Sequence, residues 1–268
     1  MKMVPACVNH PSRWSGLLVV ALAVLMAGPV RAAWGGAVPS TSTLVSVHAV
    51  AGSTIGDLVF YFPANTTIEG TYSWSLPAPA TIYATDGTTV IGTVNSLNLA
   101  YNADPSVSLD FNVTAGASTT EFDISSATIN FAPVINPDAY AYATVTTTDT
   151  GSAYAKLTGQ FPFMGFNMAY EARYNGTNKW ANLILPIRVD GSGVSVMAEE
   201  SRPAQDTPPP WLRETITDTV SSIATQFRFT LTANDSASGV SVFDVTPEPG
   251  TLLLLALGMG VARRTRRR

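Results

Sequence analysis

Residues 107–113 read Val-Ser-Leu-Asp-Phe-Asn-Val, so that apolar and polar side chains alternate without a break. Successive side chains of a β-strand point to opposite faces, and this alternation therefore predicts a strand with one buried and one exposed face. The preceding residues, 102–105, include Asn, Asp and Pro, which favour turns for backbone reasons. A turn followed by a half-exposed strand is the unit that recurs along the chain.

Similar segments, rich in Val, Thr, Ser and aromatic residues, lie between turn signals on both sides of this strand. Asp86-Gly87 between two such segments predicts a tight hairpin, and Asn175-Gly176 predicts another turn. The segment 57–62 contains a continuous apolar run, as expected of a strand buried on both faces. The predicted strands are 44–50, 57–62, 68–76, 81–84, 88–94, 107–113, 122–131, 140–148, 153–158, 166–174, 180–189, 194–198, 223–231 and 240–245.

Many short strands separated by turn signals predict an all-β body, and specifically a β-sandwich of jelly-roll-like type. A hairpin is expected across Asp190-Gly191, between the segments 180–189 and 194–198. The main interruption is 199–210, which holds four prolines and is predicted to be a loop. A short helical turn is expected after it, at 211–214.

The first 32 residues have the pattern of a secretory signal peptide. Lys2 and Arg13 precede an almost wholly apolar stretch at 16–28, which is too short for a typical spanning helix. Small residues end the segment, and they predict cleavage by signal peptidase between Ala32 and Ala33. The alternative is an uncleaved N-terminal anchor. We therefore expect an N-terminal signal helix at 1–32 and an exported body at 33–245.

The C-terminal segment, 246–268, has three parts. A Pro-Glu-Pro-Gly motif comes first, then the apolar run 251–262, and then a cluster of arginines. Two prolines hold the intervening Glu248 extended, and arginines resist transfer across a bilayer. The apolar run, predicted to be a short helix, has 12 residues, whereas a straight membrane span needs about 20. The motif residues are Pro247, Glu248, Pro249 and Gly250, and the basic residues are Arg263, Arg264, Arg266, Arg267 and Arg268.

This tripartite segment resembles the PEP-CTERM sorting signal of Gram-negative bacteria. The resemblance implies that 247–249 is a recognition motif, that 251–262 is a membrane segment and that 263–268 stays in the cytoplasm. It also implies processing by exosortase, a membrane transpeptidase-like enzyme, on the way to the cell surface. Proteins with this signal accompany exopolysaccharide production and biofilm or floc formation. The resemblance gives no activity for the body.

The body is strongly acidic. Of the 15 basic residues, three lie in 1–32 and five in 263–268, which leaves seven against 18 acidic residues in the body, a net charge of −11. A nucleic-acid-binding protein is expected to be basic, so that class is disfavoured. The chain has one cysteine, Cys7, which lies in the signal segment, and we therefore expect no disulfide in the mature protein.

Candidate catalytic residues are sparse. His48 is the only histidine after the signal segment, and it lies within a predicted strand without a nucleophile motif such as Gly-x-Ser-x-Gly. A zinc site needs several His or Cys ligands, so no zinc site is predicted. A glycosidase needs only two carboxylates, but nothing in the sequence places a pair of them across a cleft. The glutamates of the body are therefore expected to be solvated surface charges. The glutamates considered are Glu171, Glu199, Glu200 and Glu214. We expect the body not to be an enzyme and to need no cofactor.

Two kinds of ligand remain as hypotheses. Oxygen-rich turns can hold structural calcium, although aspartate also favours turns for backbone reasons alone. The turn aspartates are Asp86, Asp104, Asp138 and Asp190. Exposed aromatic rings could stack on sugars, although aromatic residues in strands are more often part of the core. The aromatic candidates are Trp74, Tyr83, Tyr101, Tyr154, Trp180 and Trp211, and Trp180 and Trp211 are chosen for glycan stacking.

The sequence thus predicts a protein of the cell surface or extracellular matrix, held transiently in the membrane by its C-terminal segment. Its expected role is structural or adhesive, with exopolysaccharide as the expected partner. The alternatives are a secreted carbohydrate-binding module and, less favoured, a secreted hydrolase that uses two carboxylates.

Overall fold

A computed structural model describes residues 38–39, 41–151, 154–203 and 213–246. These residues form strands and connecting turns, and no helix occurs among them, so the all-β prediction is confirmed. The strands are β1 (Val38–Pro39), β2 (Thr43–Ala51), β3 (Thr54–Tyr61), β4 (Thr71–Ser75), β5 (Ala80–Tyr83), β6 (Val90–Asn102), β7 (Ser106–Ala115), β8 (Thr120–Ser126), β9 (Ile129–Ile135), β10 (Asp138–Thr148), β11 (Ala155–Gly159), β12 (Phe161–Phe163), β13 (Phe166–Met168), β14 (Tyr170–Tyr174), β15 (Asn178–Leu183), β16 (Ile187–Val189), β17 (Ser195–Arg202), β18 (Glu214–Thr215), β19 (Thr219–Leu231) and β20 (Ser236–Thr246).

The strands form two large antiparallel sheets and one small hairpin. The first sheet has the order β1-β9-β19-β8-β2-β3, with β11 and β14 also pairing β19, β16 pairing β11 and β15 pairing β14. The second sheet has the order β17-β10-β20-β7-β6-β4, with β18 pairing β10 and β5 pairing β6. The hairpin consists of β12 and β13. The long central strands β7, β10 and β20 alternate strictly between buried and partly exposed residues, as period-2 patterning requires.

The inner faces of the two sheets contact each other through aromatic residues. The ring of Phe111 on β7 lies 4.8 Å from that of Phe227 and 5.7 Å from that of Phe229, both on β19. Such rings bury a large apolar area and supply much of the burial that drives folding. The body is therefore two antiparallel sheets that share one core, whereas the jelly-roll-like connection of the strands stays a prediction.

A buried tyrosine also links the two sheets. The Tyr101 hydroxyl on β6 donates a hydrogen bond to the Leu44 carbonyl at 2.8 Å and accepts one from the Ala127 N–H at 3.0 Å. Tyr101 is completely buried, and its hydroxyl joins two backbone groups that also bond to each other, since the Ala127 N–H donates to the Leu44 carbonyl at 3.0 Å. The interaction fixes the first sheet against the second at this point.

The two tight turns predicted from sequence are confirmed. Asp86 accepts hydrogen bonds from the N–H groups of Thr88 at 2.8 Å and Thr89 at 2.9 Å, and Gly87 has a positive φ of 73°. Hydrogen bonds from Thr89 and Thr88 lower the pKa of Asp86 to about 2. Asn175 and Gly176 both have positive φ, as the turn between β14 and β15 requires.

The hairpin predicted across Asp190-Gly191 is wrong. Strand β16 pairs β11 in the first sheet, whereas β17 pairs β10 in the second sheet. The chain therefore passes from one sheet to the other between Val189 and Ser195. Asp190-Gly191 forms a turn here, but the residues of a turn do not determine with which strand the following strand pairs.

Three other expectations need correction. The segment 57–62 is not buried on both faces. Most of it belongs to β3, the last strand in the order of its sheet, and this strand exposes Ile55, Val59 and Tyr61 on one face. The predicted strand 122–131 is split into β8 and β9, and between them the Ala127 N–H is shared by the Leu44 carbonyl and the Tyr101 hydroxyl.

The third correction concerns 199–214. Glu199 to Arg202 belong to β17 and pair with β10, so the predicted loop begins later. Glu214 starts β18, which pairs β10, and is not part of a helical turn. Residues 204–212 lie outside the described part of the chain.

Both terminal signals also lie outside it. The signal helix at 1–32 with its cleavage site at Ala32–Ala33, and the motif, apolar helix and arginine cluster at 247–268, are not among the described residues. Within the described ranges, no helix is long and apolar enough to cross a membrane.

Candidate functional site

The outer face of the second sheet is a broad surface of small polar side chains. Strand alternation directs these side chains away from the core, since their neighbours along each strand are buried. Hydroxyl and amide groups predominate over charged groups on this face. The polar residues concerned are Asn98 on β6, Ser106, Ser108, Asn112 and Thr114 on β7, Thr144, Thr146 and Thr148 on β10, and Ser236 and Ser238 on β20.

Hydrogen bonds between strands hold part of this face in place. The Asn95 amide donates to the Asn112 side-chain oxygen and to the Thr114 hydroxyl, both at 2.9 Å. The Asn98 amide donates to the Asp110 carboxylate at 3.1 Å. Side chains fixed in this way lose less conformational entropy when a ligand binds. The face is therefore a preorganised set of donors and acceptors.

Two tyrosines add aromatic rings to the same face. Tyr140 and Tyr142 alternate with the buried alanines of β10, and both are partly buried. In the register of the sheet, Tyr142 lies opposite Val242 on one side and Ser201 on the other. Tyr142 therefore lies beside the Ser201 hydroxyl and a small apolar patch formed by Val242 and its neighbour Val240. Tyr140 lies opposite Asp244, which forms an ion pair with Arg213 at 2.8 Å.

Both tyrosine hydroxyls remain protonated through the physiological range. Partial burial, followed by the negative charge of Glu199, raises the pKa of Tyr140. Partial burial, and then hydrogen bonding to Glu199, raises the pKa of Tyr142. Neutral tyrosines offer an apolar ring and a hydrogen-bonding hydroxyl together. A sugar, with apolar C–H faces and hydroxyl edges, matches this combination.

The aromatic residues selected from sequence do not form such a surface. Trp180 is only 5% exposed, and the guanidinium of Arg202 lies 4.1 Å from its ring centroid. A buried and covered ring has no free face, so the assignment of Trp180 to glycan stacking is wrong for this structure. Trp211 lies outside the described residues, and its assignment stays a prediction.

The other aromatic candidates occupy varied environments. Tyr101 is buried between the sheets, and Trp74 is half-buried with its ring 4.9 Å from that of Phe60. Tyr154 is exposed but carries the Arg188 guanidinium 4.7 Å from its ring centroid. Tyr83 is 51% exposed at the end of β5. Tyr140 and Tyr142 were missed because the alternating residues between them are alanines, which give a weak signal for a buried face.

The four glutamates considered for hydrolysis are not arranged as a facing pair. Glu171 is completely buried and forms ion pairs with Arg173 and with Lys179, whose Nζ lies 2.8 Å from Glu171 Oε2. Glu214 accepts two hydrogen bonds from Arg202, at 2.8 and 3.1 Å, which lower its pKa. Glu199 and Glu200 are adjacent on β17 and so lie on opposite faces of the strand.

Most of the aspartates in the turns predicted to bind calcium have other partners. Asp86 caps its own turn, Asp138 accepts a hydrogen bond from the Thr215 hydroxyl at 2.9 Å, and Asp190 lies 3.0 Å from Arg188. Asp104 lies in the turn before β7, where its N–H donates to Asn102. In the part of the chain that the structure describes, no group of three or more His, Cys, Asp or Glu side chains could share a metal ion.

His48 forms a cross-strand pair with Asp57, with 2.6 Å between Nδ1 and Oδ1. Both side chains are about half exposed on the outer face of the first sheet. A pocket of about 260 Å³ lies at the start of the body, and none of its lining residues is titratable. The lining residues are Pro39, Thr41, Ser42, Phe62, Pro63, Ala64, Asn65 and Thr66. It therefore offers no acid or base for catalysis.

The body is thus an all-β module of two antiparallel sheets with a preorganised polar outer face. Its C-terminal strand, β20, leads directly into a segment with a known family match. Residues 245–268 match the family model described as the PEP-CTERM protein-sorting motif. The chain therefore carries a PEP-CTERM sorting motif at its C-terminus, which indicates an exported protein that exosortase processes. A search among curated proteins gave no matching relative.

Proposed function

We propose that the body is a structural or adhesive component of an exopolysaccharide matrix at the cell surface. The observation that carries this proposal is the outer face of the second sheet, where Tyr140 and Tyr142 on β10 share one surface with the hydroxyls and the hydrogen-bonded amides of β6 and β7. The sorting motif supports it, since the motif belongs to an exported protein. The acidic body, at −11, favours binding through neutral sugar hydroxyls over binding to anionic polymers.

Location and role are tested in the producing cell. The full-length protein and a variant lacking 247–268 are expressed at equal level, and their amounts in envelope, matrix and medium are compared. We expect the full-length protein in the envelope and matrix, and the truncated variant displaced from them. The cohesion of cell aggregates should fall in a strain without the protein. Unchanged cohesion and unchanged distribution would contradict the proposal.

A carbohydrate-binding module that acts without a structural role is the second candidate. The paired rings of Tyr140 and Tyr142 favour it, because a binding module needs a local aromatic site rather than a large cohesive surface. The test is binding of the purified protein to exopolysaccharide from the producing cell. The double variant Tyr140→Ser/Tyr142→Ser should lose at least about tenfold in affinity, since base or sugar stacking on one ring contributes roughly 1–3 kcal/mol. Tyr83→Ser is the matched control, because Tyr83 is exposed on β5, which pairs β6 at the other side of the second sheet from β10.

The two candidates differ in their cellular result. If the double tyrosine variant loses polysaccharide binding while aggregate cohesion stays normal, the module without a structural role is favoured. If both fall together, the adhesive role is favoured. Full binding by the double variant would contradict the assignment of this face.

A further inference from the structure

Two buried carboxylates lie side by side at one end of the second sheet. Thr148 on β10 pairs Ser236 on β20, and the next residue of each strand pair is Asp149 and Asp235. Asp149 is 0% exposed and Asp235 is 2% exposed. Both follow the buried alternation of their strands, so both side chains point toward the interior between the sheets.

Neither carboxylate has a cationic partner. Among the described residues, the ion pairs include neither Asp149 nor Asp235. The third buried carboxylate of the body, Glu171, is in contact with both Arg173 and Lys179. Buried charges are paired with opposite charges or bind metal ions, because an isolated charge is costly to desolvate. Among the buried carboxylates of the described residues, the two aspartates are therefore the ones that lack a counter-charge.

Two buried side-chain oxygens near the end of β10 have no hydrogen-bond partner among the described residues. Asp149 Oδ1 accepts the Gly151 N–H at 2.9 Å, but Asp149 Oδ2 is buried and has no hydrogen-bond partner. Thr147 lies two residues earlier on the same inward face, and its buried hydroxyl also has no partner. Two buried oxygens of this kind, one of them from a carboxylate, point to a bound species that accepts lone pairs.

Gly151 lies beside both carboxylates. A Cβ atom added to Gly151 would lie 3.6 Å from Asp149 Oδ1 and 3.6 Å from Asp235 Oδ1. Asp235 is held by the Thr150 N–H at 3.1 Å and by the Thr232 hydroxyl. The carboxylates are thus held in position on both sides of one point, while the unpartnered oxygen of Asp149 remains free to coordinate.

We propose that Asp149 and Asp235 bind a calcium ion, with the Thr147 hydroxyl as a further ligand. Carboxylate and hydroxyl oxygens are hard ligands, and Ca²⁺ accepts irregular sets of six to eight oxygens completed by water. Mg²⁺ demands near-ideal octahedral geometry, which ligands from strand ends do not readily supply. Exported modules bind Ca²⁺ with dissociation constants of about 10⁻⁴ to 10⁻³ M, and the same range is expected here. The ion would join the ends of β10 and β20 under the loop that follows β10.

The test is calcium binding by the exported protein as purified from cells. Titration calorimetry with CaCl₂ after removal of metal by EDTA should give one site per chain. In 10 mM Ca²⁺ the ratio of folded to unfolded protein should rise roughly 10- to 100-fold over EDTA, with a matching rise in Tm of about 3–10 °C. MgCl₂ and NaCl at equal ionic strength should give little change. No calorimetric site, or an equal shift with NaCl, would overturn the proposal and leave a buried water as the occupant.

Variants separate a specific site from general screening of negative charge. Asp149→Asn keeps an oxygen for the Gly151 N–H but removes a charge, so it should abolish the calcium response. In EDTA this variant should be at least as stable as the wild type, because two like charges no longer face each other. Asp190→Asn removes the same charge from an exposed position and should keep the full response. Should Asp149→Asn fail to fold, Asp235→Asn and the wild-type titration decide the question. A calcium response retained in both aspartate variants would overturn the assignment.

Discussion

The hydroxyl of Tyr101 gives a prediction that can be worked out from the contacts of one atom. Replacing Tyr101 by Phe removes the group that donates to the Leu44 carbonyl and accepts from the Ala127 N–H. The ring remains, so the substitution leaves no large cavity. The two backbone groups keep the hydrogen bond to each other at 3.0 Å, so the substitution removes the two bonds of the hydroxyl. At about 0.5–1.5 kcal/mol for each bond, we expect a loss of about 1–3 kcal/mol in the free energy of unfolding.

The measurement is urea unfolding followed by intrinsic fluorescence, with the free energy obtained by linear extrapolation. The slope of the transition should stay constant, because the fold and the exposed area do not change. Tyr142→Phe is the matched control, since its hydroxyl lies on the outer face, and it should change stability by less than about 0.5 kcal/mol. A loss below about 0.5 kcal/mol for Tyr101→Phe would refute the view that this hydroxyl joins the two sheets.

Three further predictions concern the core, a buried ion cluster and alkaline pH. Phe111→Ala should cost about 3–5 kcal/mol in urea unfolding, because its ring contacts the opposite sheet; a cost under 1 kcal/mol would mean that the sheets do not share this contact. Glu171→Gln should cost about 1–2 kcal/mol, because Arg173 and Lys179 lose their partner but stay partly exposed to water, whereas Glu200→Gln should cost less than about 0.5 kcal/mol. Burial raises the pKa of Tyr101 and Tyr170 above the unfolded value near 10, so their contribution to stability is complete below pH 10. Above pH 10 stability should fall by up to about 1.4 kcal/mol per pH unit for each tyrosine, and Tyr101→Phe should reduce the slope by up to about 1.4 kcal/mol per pH unit.

Much of the strand pattern could be predicted from the sequence, because alternation is a local property. The segment 107–113 alternates cleanly, and it lies within β7 with its apolar residues buried. Asp86-Gly87 predicted a hairpin because the chemistry of a tight turn is confined to a few residues. In these places the local preference and the tertiary structure agree.

The partners of the strands could not be predicted in the same way. Asp190-Gly191 has the residues of a hairpin turn, but β16 and β17 join different sheets because their partners, β11 and β10, lie elsewhere in the sequence. Trp180 appeared to be a surface candidate, yet Arg202 covers it from another strand. Contacts of this kind depend on long-range pairing, which one sequence does not reveal.

The candidate sites also depend on contacts between residues that are distant in sequence. Tyr140 and Tyr142 share a face by simple alternation, but the sequence does not say that this face is the outer one. Asp149 and Asp235 are distant in sequence and become neighbours only because β10 pairs β20. The aspartates that looked most suitable for calcium, those in short turns, use their oxygens to stabilise the turns or to bind nearby side chains.

The position of β20 has a mechanical consequence. This strand lies between β10 and β7, forms ladders on both sides, and ends at Thr246, one residue before Pro247. Tension applied through the tail of an anchored protein would pull β20 along its own axis, so that many hydrogen bonds would have to break together rather than one after another. Because the strand ends directly before the sorting motif, no linker separates the two in sequence. An enzyme that binds the motif must therefore bind it next to the end of the second sheet.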